Sequence, residues 1–135
     1  MSTELGVGAK GLLKIGHRGA RAYEPENTLR SFKRAIELGV DAVELDVRRT
    51  KDEEIVVIHN SDVNKTTDGR GSVDELSLEE IKKFVTEEGE HIPTLEEALE
   101  FVGERVKILV ELKETGIEDK VLDLIQEKGL LDNVI

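Results

Sequence analysis

Val40-Asp41-Ala42-Val43-Glu44-Leu45-Asp46-Val47 reads as a β-strand, because its apolar and polar side chains recur with a period of two. Glu44 and Asp46 share one face of that strand, since side chains two apart point the same way. Two carboxylates on one face of an apolar strand repel each other and resist losing water unless a cation or a wet cavity accepts them. Val106 to Leu112 is a second apolar run, and Glu111 and Lys113 at its end repeat the i, i+2 arrangement. A plainer reading exists for each pair: carboxylates at strand ends facing solvent, and Glu111 with Lys113 as a surface ion pair.

Upstream, Leu12 to Gly16 is a strand-like run that delivers His17 and Arg18, after which Gly19 turns the backbone away. Histidine titrates near neutrality, and arginine offers a planar fork suited to phosphate or carboxylate. Asn27 or Glu26 starts a helix in which Leu29, Phe32, Ala35, Ile36 and Leu38 recur at helical spacing, and Gly39 stands where a helix ends. Residues 1–11 carry three glycines and no clear period, and are expected to be a flexible leader ahead of a single domain over 12–135.

Downstream, Ile55 to Ile58 is a third strand, ending on His59. The polar run from Asn60 to Gly71 spells turns and is too polar to be core. Ser77 with Glu80, and Thr94 with Glu97, are capping boxes ahead of apolar runs, so each marks a helix start. A last helix is predicted from about Ile117 to Lys128, with Asn133-Val134-Ile135 opening a further strand.

Strands that alternate with helices and are themselves apolar argue for a parallel sheet covered by helices. An open doubly wound sheet and part of a (β/α)8 barrel both fit the count. His17, Glu44, Asp46, His59, Glu111 and Lys113 all fall at or near the C-terminal ends of predicted strands, which is where such folds keep their chemistry.

The 135 residues hold 30 Asp and Glu against 19 Lys and Arg, a formal net charge of −11. That balance argues against binding a nucleic-acid backbone, which needs a basic face. Any phosphate site must carry local positive charge or a metal ion. The absence of cysteine excludes disulfides and thiolate metal sites within the sequence. No apolar run is long enough to span a bilayer, and residues 1–10 lack the pattern of a secretory signal, so the expectation is a cytoplasmic protein.

Taken together, His17-Arg18-Gly19 with Pro25-Glu26-Asn27-Thr28, Glu44-Leu45-Asp46-Val47, Val57-Ile58-His59, the Thr66 to Gly71 loop, Ile92-Pro93-Thr94-Leu95-Glu96-Glu97 and Glu111-Leu112-Lys113 resemble the ordered motifs of the glycerophosphodiester phosphodiesterase family. The resemblance runs from about Leu12 to the C-terminus. It implies a TIM (β/α)8 barrel and metal-dependent hydrolysis of a glycerophosphodiester to an alcohol and glycerol 3-phosphate. By the same resemblance Glu44, Asp46 and Glu111 bind the metal, His17 and His59 are the acid and base, and Arg18 and Lys113 hold the phosphate. An all-oxygen ligand set suits a hard cation, Mg²⁺ or Ca²⁺. His59 is followed by Asn60 where the family usually has Asp, which leaves His59 without a charged neighbour to orient it.

A full barrel takes roughly 250 residues, so only about the first half of one is expected here. Three classes of function follow: a phosphodiesterase, a module that binds metal and phosphate without turnover, and a structural fragment. A half-barrel leaves open edges on its first and last strands, from which a homodimer or association with the missing half is expected.

Overall fold

The computed structural model describes residues 3–8 and 11–135. The sheet contains β1 (Thr3–Gly8), β2 (Gly11–His17), β3 (Ala42–Arg49), β4 (Ile55–Val57) and β5 (Lys107–Leu112), with helices α1 (Leu29–Glu37), α2 (Leu78–Lys82), α3 (Leu95–Val102) and α4 (Glu118–Glu127). β3 is its axis. It pairs in parallel with β2 on one side (Ile15 opposite Ala42, His17 opposite Glu44) and with β5 on the other (Glu44 opposite Leu109, Asp46 opposite Glu111). This is the expected α/β arrangement of parallel strands linked by helices.

Helix boundaries follow local chemistry. Thr28, with extended backbone, is the N-cap of α1 and accepts from the Ser31 N–H. Both predicted capping boxes form, at Ser77 with Glu80 and at Thr94 with Glu97. Gly39 (φ 82) follows α1 in the left-handed region, where glycine carries no Cβ penalty.

Odd-numbered residues of β3 face the helices. Val43, Leu45 and Val47 pack with Ile108 of β5 and with Phe32, Leu95, Leu99, Val121 and Ile125 from α1, α3 and α4, forming the main core. The alternation of the strand therefore turns Glu44 and Asp46 to the opposite face.

Three expectations change. The strand at Ile55–Val57 is not a parallel βα unit: it runs antiparallel to β3, with Val47 opposite Val57 and Arg49 opposite Ile55. Only a short turn separates the two strands, in which Thr50 N–H donates to the Glu54 carbonyl, whereas a parallel crossover takes about a dozen residues or more. The polar run after His59 does supply core. Val63 and Val73 are buried with Val56, Ile58, Ile81 and Ile92 in a second apolar cluster beneath the loops. Finally, the strand expected to form the first open edge has a neighbour. β1, inside the stretch expected to be a leader, pairs antiparallel with β2 (Thr3 opposite Gly16, Gly8 opposite Gly11). On the other side of the sheet, Val134 bridges Ile108 in parallel and the Ile135 N–H donates to the Ile108 carbonyl, the start of the strand predicted at 133–135. For residues 1–2 and 9–10 the leader expectation lies outside the described residues. Among the described residues no helix is long and apolar enough to cross a membrane.

Candidate metal and phosphate site

β2 ends in a turn built for close approach. The Gly19 N–H donates to the Gly16 carbonyl at 3.1 Å. A Cβ on Gly16 would stand 2.8 Å from the Gly19 carbonyl oxygen, and one on Gly19 (φ 81) would stand 2.3 Å from Ser31 Oγ, so both positions require glycine. Between them Arg18 takes a left-handed backbone (φ 55) that is costly for a residue with a Cβ. Ser31 of α1 holds the turn from behind, accepting from the Ala20 N–H and donating to the Arg18 carbonyl.

The turn aims its polar groups at β3. The Arg18 N–H donates to Glu44 Oε1 at 3.1 Å, and His17 Nε2 lies 3.7 Å from the same oxygen. The Arg18 guanidinium bonds both oxygens of Glu26 at 3.2 Å and brings Nε to 3.6 Å from Asp46 Oδ2. From β5, Lys113 Nζ donates to Glu111 Oε1 at 2.9 Å and stands 4.0 Å from Asp46 Oδ1. Six of the seven residues singled out in the sequence thus converge: His17, Arg18, Glu44, Asp46, Glu111 and Lys113.

His59 arrives by another route. Because β4 runs back along β3, the Ile58 N–H donates to the Asp46 carbonyl, and His59 is the next residue. Its carbonyl accepts two bonds from the Arg48 guanidinium. Its ring Nδ1 is 2.8 Å from Asn60 Oδ1. An amide oxygen only accepts, so Nδ1 is the donor, and of the two neutral tautomers this bond selects the one whose Nε2 keeps the lone pair. Asn60 therefore orients the ring while adding no charge, in keeping with the expectation that His59 lacks a charged neighbour.

Glu44, Asp46 and Glu111 each offer a carboxylate oxygen within 4.8 Å of the others, which fits a single divalent ion. Glu44 and Asp46 are 4% and 0% exposed, and Glu44 Oε2 and Asp46 Oδ1 are buried without a hydrogen-bond partner among the described residues. Orphaned carboxylate oxygens are expensive unless a cation meets them. Burial first, and the charge of Asp46 next, push the Glu44 carboxyl up to about 8. Glu111 moves the other way, held down at about 2, chiefly by its hydrogen bond from Lys113. The donor set is that of a hard cation, as the fit requires.

Two participants had no assigned role in the sequence reading. Glu26 fixes the Arg18 fork, and Asn27 Nδ2 donates to Asp46 Oδ2 at 3.0 Å. The Pro25-Glu26-Asn27-Thr28 motif was the available signal, since polar residues directly after a strand-end turn are placed to reach back to the strand ends. A cleft of about 1030 Å³ adjoins the site through Arg18 and Glu26 and is walled by the loops at 65–68 and 85–88.

Residues 17–132 match the model of the glycerophosphoryl diester phosphodiesterase family. A glycerophosphodiester phosphodiesterase from Caldanaerobacter subterraneus subsp. tengcongensis is 43% identical over 136 residues, covering 91% of this chain and 56% of that protein. Among solved structures, a glycerophosphodiester phosphodiesterase from Agrobacterium tumefaciens superposes with a TM-score of 0.85 at 32% identity, over 89% of this chain and 54% of its own. An Oleispira antarctica phosphodiesterase, solved in complex with the product sn-glycerol-3-phosphate, gives a TM-score of 0.76 at 32% identity, over 90% of this chain and 52% of its own. The chain thus spans about half the length of the relatives it matches, and the half it spans includes the turn after β2, the carboxylates of β3 and the end of β5. By both sequence and structure this chain belongs to the glycerophosphoryl diester phosphodiesterase family.

Proposed function

We propose that the site hydrolyses glycerophosphodiesters to an alcohol and glycerol 3-phosphate, with Glu44, Asp46 and Glu111 holding Mg²⁺ or Ca²⁺. The observation that carries this reading is the convergence of three carboxylates, two of them buried with an orphaned oxygen, beside His17, Arg18 and Lys113. When bound, the ion supplies Lewis-acid stabilisation of the phosphoryl oxygens. Arg18 and Lys113 offset the charge that grows on the same oxygens, and both already stand within ion-pair distance of Asp46. His17, partly exposed and 3.7 Å from Glu44, and His59, with Nε2 unprotonated in its neutral form, exchange protons with the attacking and leaving oxygens. The cleft beside Arg18 leaves room for the alcohol portion of the diester. The structure of the Oleispira relative with sn-glycerol-3-phosphate supports the product assigned here.

The test is release of glycerol 3-phosphate from glycerophosphocholine and glycerophosphoethanolamine, with and without chelator. Chelator-sensitive release is expected, and His17→Ala or His59→Ala should each lower it about 100-fold or more. Full activity in either variant removes that histidine from the chemistry. A second reading, ion and phosphate binding without turnover, predicts ion binding with no product. Association of two copies, or of this chain with a second half-barrel, belongs to the same proposal. Light scattering at micromolar concentration tests it, and a monomer of 135 residues contradicts it.

A further inference from the structure

Asn27 has no task in the chemistry above, yet it is tightly constrained. Its backbone is left-handed (φ 56), a region in which Asn is tolerated better than most residues with a Cβ. It is 3% exposed, and its N–H donates to the Arg18 carbonyl at 3.0 Å. A carboxylate only accepts, so the bond to Asp46 Oδ2 must come from the amide NH₂, and this turns Asn27 Oδ1 away. That oxygen is buried without a hydrogen-bond partner among the described residues, and so is Asp46 Oδ1.

From this geometry we infer that Asn27 is a positioning residue: by holding Asp46 Oδ2 it fixes the carboxylate and leaves Oδ1 for the divalent ion. The inference rests on the reading of the three carboxylates as an ion site. The residue type follows from the task. Lysine or arginine at this position would place a charge in competition with the ion, aspartate would repel Asp46, and glycine offers no side-chain donor. Groups that orient metal ligands typically govern affinity by about 10- to 100-fold. Mg²⁺ demands near-ideal octahedral geometry whereas Ca²⁺ accepts irregular sites, so a misplaced carboxylate should cost Mg²⁺ more.

The test is calorimetric titration of the full chain with Mg²⁺ and, separately, Ca²⁺, alongside thermal unfolding without ions. Asn27→Gly removes the side chain without straining the left-handed backbone, and Asn27→Asp keeps the shape while replacing the donor. Asn27→Gly is expected to bind Mg²⁺ roughly tenfold or more weakly, with a smaller loss for Ca²⁺. Asn27→Asp is expected to weaken both. Equal losses for the two ions, or none, assign Asn27 to the fold alone and overturn the inference. Tighter binding by Asn27→Asp makes the side-chain oxygen a ligand in its own right and also overturns it. If Asn27→Gly does not fold, Asn27→Asp decides: weaker binding supports the inference, and unchanged or tighter binding overturns it. If the unmutated chain binds neither ion, the ion-site reading fails and this inference with it; unmutated binding with unaffected variants defeats this inference only.

Discussion

Glu44 with Asp46 on β3, and Glu111 with Lys113 at the end of β5, repeat one spacing on neighbouring strands in register, and they meet opposite conditions. The β3 pair is like-charged and buried, with orphaned oxygens on both members. The β5 pair is oppositely charged and open to solvent, with the Glu111 side chain 50% exposed. Burial drives Glu44 towards the protonated form, while Lys113 keeps Glu111 ionised. The difference teaches that the i, i+2 spacing identifies a shared face and nothing more; which strand lies deeper in the sheet decides whether that face stabilises charge or opposes it.

The largest effect should come from Asp46. Asp46→Ala leaves Arg18, only 12% exposed, without one of its two acidic neighbours and Asn27 without its acceptor. A loss of about 2 kcal/mol is expected, since Asn27 loses a charged acceptor and Arg18 keeps only Glu26, with relief of the Glu44 repulsion offsetting part of the cost. Urea unfolding measures it, and a change below about 0.5 kcal/mol would show that Asp46 is not part of a buried charge network.

Glu44 comes next. Its folded carboxyl titrates near 8 and its unfolded one near 4.5, so between those values the folded ion-free chain holds the extra proton. Stability from this group is fully present below pH 4.5 and is lost as pH rises through 8. Glu44→Gln should flatten that fall. An unfolding series across the window checks it, and an unaltered slope in the variant would assign the pH dependence to other groups. Glu111 is the smallest. Its depressed value means stability present above about 4.5 and lost as pH falls through about 2, and Glu111→Gln should cost less than about 1 kcal/mol at neutral pH because the pair is solvent-screened. A larger loss would mean that the two strands are more alike than the geometry shows.

Much of this was legible in the sequence because it rests on local rules. Both capping boxes, the helix stop at Gly39 and the placement of Glu44 and Asp46 on one face follow from spacing alone. Strand direction does not: an apolar run is the same read either way, and only the short Thr50–Glu54 turn marked β4 as antiparallel. Val63 and Val73 stand singly in polar surroundings, so periodicity carries no trace of the second core they join. Asn60 was legible as the neutral neighbour of His59, because the two are adjacent in the chain, whereas the role of Asn27 depends on Asp46, a partner that only the fold brings to it.

The central claim is that the three carboxylates form an ion site whose empty state holds a proton on Glu44. Calorimetric titration with Mg²⁺ and Ca²⁺ at pH 7, repeated in buffers of different ionisation enthalpy, tests it directly. Saturable binding of one ion with net proton release is expected, stronger as pH rises towards 8 and lost in Asp46→Asn. Absence of binding, or binding that survives Asp46→Asn unchanged, would contradict it.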